Sequence, residues 1–71
     1  MKNTTEATLL MQLRDSLQHI KGMQNPTAYV QEQVKLHGEP IVKALQHNHG
    51  YSLADSIELM RPVINQILKG V

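Results

Sequence analysis

The chain contains no cysteine, no phenylalanine and no tryptophan, and only two tyrosines. Without cysteine it forms no disulfide and holds no thiolate-ligated zinc, two devices that commonly reinforce small domains. Without large aromatics, the hydrophobic 41% of the sequence is left almost entirely to Leu, Ile, Val, Met and Ala, an aliphatic set that suits packed helices. Charge of one sign is also missing. Lys2, Arg14, Lys21, Lys35, Lys43, Arg61 and Lys69 are spread among six acids for a formal net charge of +1, so no basic stripe exists to follow a phosphate backbone and nucleic acid is disfavoured as a partner. No segment approaches the roughly 20 apolar residues that span a bilayer, and the start, MKNTTEATLL, lacks the apolar run of a signal peptide. The expectation is a soluble, cytoplasmic protein with no membrane contact.

At 71 residues the sequence makes a single domain, 1–71. A core of that size only marginally offsets the conformational entropy of folding, so association with another chain is an expected source of stability.

Apolar periodicity then supplies the fold class, an all-α bundle of three to four helices. Leu9, Leu10, Leu13, Leu17 and Ile20 recur at the three-and-four spacing of an amphipathic helix. Asn3, Thr4 or Thr5 can cap its start, Asn3 with Glu6 has capping-box spacing, and Gly22 closes it, predicting a helix from Thr5 to Lys21. Asn25 followed by Pro26 marks a second start, with Tyr29, Val30, Val34 and Leu36 as its apolar side. HGEP reads as a stop, since Gly38 ends a turn and Pro40 disfavours helix at Glu39. A short third helix, Pro40 to His47, would carry Ile41, Val42, Ala44 and Leu45.

The final run opens with Ser52, and Asp55 follows at capping distance. Pro62 would ordinarily end or kink a helix at about 3 kcal/mol, yet Leu53, Ile57, Met60, Ile64, Ile67 and Val71 keep one register across it. One kinked helix from Leu53 to Lys69 is expected, with a break at Arg61 as the alternative. The predicted core is Leu9, Leu13, Leu17, Ile20, Val30, Val34, Ile41, Leu45, Leu53, Ile57, Met60, Ile64 and Ile67.

LQHNHG, Leu45 to Gly50, raises the question of a metal. Residues two apart on a helix point to different sides, so His47 and His49 cannot chelate one ion from a helix. His19, His37, His47 and His49 each precede a predicted helix end, where imidazole can bond the last carbonyls. They read as helix-terminal residues, and no metal or cofactor is expected. Ser16 and Ser56 have no adjacent base, and Asp15, Glu32, Glu39, Asp55 and Glu58 are isolated charges, so no catalytic residue is assigned and an enzyme is not expected. Gly22, Gly38, Gly50 and Gly70 are too scattered for a phosphate loop. No small-molecule substrate follows.

Two functional classes remain. One is a helical protein–protein interaction protein, a subunit, adaptor or inhibitor completed by a protein partner or by its own copies as a homo-oligomer. Its candidate surface is Leu10, Met11, Tyr29, Met60, Ile64 and Val71, methionine being an adaptable contact residue and Met11 lying off the Leu9, Leu13, Leu17 line. The other is a helix-turn-helix DNA-binding module in residues 52–70, with Ser52 to Met60 positioning and Val63 to Lys69 reading. That reader offers only Asn65, Gln66 and Lys69.

The stretch LLMQLRDSLQHIKGMQNPTAYVQEQV, a Met- and Gln-bearing helix followed by Asn25-Pro26 and a second Gln-bearing helix, resembles small proteins encoded in tailed-phage genomes over about a third of the chain. The resemblance implies a phage protein, located in the host cytoplasm or the virion, that acts through protein contacts in assembly or on a host factor. It carries over no functional residue.

Overall fold

The computed structural model describes residues 5–24 and 27–70. They form three α-helices, α1 (Glu6–Ser16), α2 (Ala28–His49) and α3 (Leu53–Lys69), with a 3-10 turn at Gln18–Ile20 between the first two. The Cα radius of gyration is 12.0 Å, close to the roughly 11 Å of a compact chain of this length, and each helix packs on both others.

Hydroxyl side chains start all three helices. Thr5 accepts the Thr8 amide at 3.2 Å, Thr27 the Val30 amide at 3.2 Å and Ser52 the Asp55 amide at 3.1 Å, each supplying an acceptor to an amide that lacks a helical partner. The second start therefore lies at Thr27, after the expected Asn25-Pro26 pair. Asn25 and Pro26 themselves, like the cap candidates Asn3 and Thr4, lie outside the described residues.

The first helix is shorter than its sequence pattern. After Ser16 the chain tightens, with the Ile20 amide bonding the Leu17 carbonyl at 3.0 Å. Residues three apart eclipse one another in a 3-10 turn, so the change swings Ile20 under Leu17 and both are fully buried. Gly22, at φ +84°, then donates its amide to the Ile67 carbonyl at 2.8 Å, tying this end to the last turn of α3.

The predicted stop at HGEP is absent. The expected second and third helices are one 22-residue helix that passes through Gly38 and Pro40. Two facts explain it. Gly38 is buried against α3, where a Cβ would lie 2.9 Å from the Met60 methyl, so the glycine allows close approach of two helices and is not a terminator. Pro40 is on the exposed side, where the Leu36 carbonyl that loses its donor can turn to water. His37 is accordingly mid-helix, contrary to its expected place at an end, whereas His47 and His49 do occupy the last turn of α2.

The sharp stop comes at Gly50, left-handed at φ 70°, whose amide bonds the Gln46 carbonyl at 3.2 Å. From Ser52 a new helix then runs without interruption to Lys69. Pro62 is again exposed, so α3 continues through it and has no turn at Arg61.

Leu9, Leu13, Leu17, Ile20, Val30, Ile41, Leu45, Met60 and Ile67 form the buried core. Val34 and Ile64 are half-buried against it. Leu53 and Ile57, expected in the core, are 56% and 42% exposed. The buried line of α3 is instead Ser56, Met60 and Ile67 with Val63 half-buried beside them, and the Ser56 hydroxyl is satisfied by the Ser52 carbonyl at 2.8 Å. The apolar arc of α3 is wider than the two other helices can cover: Leu59, Val63 and Ile64 are half-buried against the core, and Leu53 and Ile57 are left exposed.

Candidate interaction groove

The uncovered flank of α3 and the adjoining side of α2 make an apolar groove of about 470 Å³. Val34, Gly38 and Val42 supply the α2 wall, while Leu53, Ile57, Met60 and Ile64 supply the α3 wall. These positions repeat at helical spacing on both elements, so the groove runs along the helices. Gly38 shapes its floor, since the missing side chain brings α2 down onto Met60. Lys35 and Glu39 on α2, with Arg61 and Asn65 on α3, form the polar rim.

The rim charges are only partly matched within the chain. Glu39 lies 3.7 Å from Lys43 and Arg61 lies 3.3 Å from Glu58. Both pairs are well exposed, where an ion pair contributes about 0–1 kcal/mol. Lys35 forms no ion pair among the described residues.

Of the six residues expected on an interaction surface, the groove brings together Met60 and Ile64. Met60 is buried at its floor and Ile64 half-buried. Met11 is 61% exposed on α1 and Tyr29 52% exposed on the first turn of α2, but neither lines the groove. Leu10 packs against the core, and Val71 lies outside the described residues. Sequence reasoning missed Leu53 and Ile57 as surface residues because their register matched that of the core. The apolar arc of α3, too wide for a helix covered by only two neighbours, was the signal that could have found them.

Two polar clusters lie elsewhere. His19 Nε2 donates to Gln33 Oε1 at 2.8 Å, and the His19 ring meets His37 edge-on with centroids 5.4 Å apart. This packs the 3-10 turn onto α2. At the opposite end of α2, the Tyr51 hydroxyl donates to a Glu6 carboxylate oxygen, linking the α2–α3 connection to α1. Hydrogen bonding to Glu6 raises the Tyr51 pKa above its usual value, with further contributions from desolvation and from the charges of Glu6 and Asp55. Among the described residues no group of three or more His, Asp or Glu side chains could hold a metal ion. Nor is any helix among them long and apolar enough to cross a membrane.

The chain matches no protein-family model, no curated protein and no solved structure.

Proposed function

We propose that the chain is a protein–protein interaction protein, a small subunit, adaptor or inhibitor, and that the groove between α2 and α3 is its contact face. The observation that carries this reading is the placement of Leu53 and Ile57, large aliphatic side chains 56% and 42% exposed beside a groove that continues into the core at Met60. Each such side chain in water forgoes a good part of roughly 1.5–3 kcal/mol of burial, and a contiguous apolar patch of this kind is a common mark of an interaction site. The groove has the form that receives an amphipathic helix, with anchors at helical spacing and a charged rim. On this reading α3 bends at Pro62, where the Glu58 carbonyl lacks its helical donor, and the bend sets the line of the groove wall. The tailed-phage resemblance is in keeping with an activity in virion assembly or on a host factor, in the host cytoplasm or the virion.

The helix-turn-helix alternative needs two helices within residues 52–70, and Leu53–Lys69 is one.

The test compares wild-type protein with Ile57→Glu and Met11→Glu as affinity baits in lysate, with helicity of each bait checked by circular dichroism. Proteins retained by the wild type and by Met11→Glu, but lost from Ile57→Glu, support the groove. Equal retention by all three baits, together with self-association that Ile57→Glu leaves unchanged, refutes it.

A further inference from the structure

Resting on that reading of the groove, we infer that its occupant is a second copy of this chain, docked about a two-fold axis so that α2 and α3 each run antiparallel to their counterparts. The charge pattern on the rim selects this occupant. Lys35 and Glu39 carry opposite charges one helical turn apart on the groove side of α2. An antiparallel copy of the same helix, with the axis passing near His37, sets Lys35 against Glu39 of the second copy and Glu39 against Lys35 of the second copy. Such reciprocity is what a two-fold interface requires, because each contact must occur twice with the roles exchanged. The Lys35 ammonium, without an ion pair among the described residues, thereby gains a carboxylate.

The α3 wall fits the same operation. Met60 meets Gly38 at the floor of the groove, so an axis at the level of residues 37–38 of α2 crosses α3 near residues 60–61. An antiparallel α3 then sets Ile57 against Ile64 of the second copy, and these are the side chains that the chain's own fold leaves uncovered or half-covered. Arg61 falls near the axis, where two like charges approach, but each is already balanced by its own Glu58 at 3.3 Å. Four helices, two from each copy, then enclose the apolar groove residues. A standard interface takes about 800 Å² per partner, roughly a sixth of the 4917 Å² this chain exposes.

Sedimentation equilibrium across the micromolar range tests the inference, with helicity monitored by circular dichroism. Wild type is expected to dimerise reversibly. Lys35→Glu sets like charges opposite each other at two symmetry-related places and should weaken the dimer about ten-fold. Glu39→Lys should act similarly. The combined Lys35→Glu, Glu39→Lys protein re-forms opposite pairs and should recover most of the loss. Ile57→Glu should give a folded monomer. A wild-type monomer throughout the range overturns the inference, as does a dimer unaffected by the two single charge reversals or by Ile57→Glu. Neither result by itself touches the broader reading, which falls only if the lysate baits behave alike and Ile57→Glu also leaves self-association unchanged. A monomer whose Ile57→Glu variant loses lysate partners would assign the groove to a different protein.

Discussion

Individual side chains divide sharply by burial, and their substitution effects should divide with it. Leu13 and Ile67 are 0% and 1% exposed. Their replacement by Ala is expected to cost about 2–5 kcal/mol, the lost transfer energy plus the cavity left behind. Met11→Ala, at 61% exposure, should stay within about 0.5 kcal/mol. Urea denaturation of the three variants checks both values, and equal losses would refute the assigned core. Tyr51 makes a pH-dependent prediction. Its pKa in the folded chain is raised above 10.0, first through the hydrogen bond to Glu6. The native state thus favours the protonated phenol, and this contribution is complete below pH 10.0 and is lost as pH rises through the raised folded pKa. Tyr51→Phe should therefore melt lower than wild type at pH 8, with the gap closing in strong alkali. Thermal melts of both proteins from pH 8 upward measure it, and a gap that widens with pH would contradict the assignment.

At the scale of the helix, both interior prolines oppose the elements that contain them. Pro40 and Pro62 each remove a backbone hydrogen bond, and both rings are exposed. Proline is about 3 kcal/mol less favourable than alanine in a helix interior. It recovers about 0.4–1 kcal/mol by restricting the unfolded chain where its conformation is compatible. The first effect is larger, so Pro40→Ala and Pro62→Ala should each stabilise the fold by about 2 kcal/mol, readable as a raised melting temperature. Gly38 gives the complementary case. Alanine there improves helix propensity by roughly 1 kcal/mol, and its Cβ meets only the end of the flexible Met60 side chain at 2.9 Å. Because Met60 borders an open groove, its methyl can move aside, and Gly38→Ala should be neutral or mildly stabilising. Gly38→Leu cannot be accommodated in this way and should force α2 from α3, lowering stability by about 1–3 kcal/mol. The same closeness explains why HGEP misleads as a sequence: glycine and proline two residues apart resemble a helix end, unless the glycine side is pressed against another helix and the proline side faces water.

For the whole molecule, the described residues bring no metal-ligating cluster together, so EDTA is expected to leave the melting temperature unchanged. A fall that zinc reverses would overturn that expectation. The parts legible in advance were those governed by local chemistry. Ser52 and Gly50 separate α2 from α3 because a hydroxyl acceptor and a left-handed glycine act on amides and carbonyls within a few residues of themselves. Leu9, Leu13, Leu17 and Ile20 were readable as core because α1 has a narrow stripe with one way to be buried. Two decisions were left to tertiary structure. Gly38 lies against Met60 of α3, more than twenty residues away, and nothing near Gly38 in the chain reports that contact. The flank of α3 that is left open depends on where α1 and α2 lie. Its arc holds more apolar residues than they can cover: Met60 and Ile67 are buried as the register predicts, but packing alone put Ser56 and half-buried Val63 beside them and left Leu53 and Ile57 exposed.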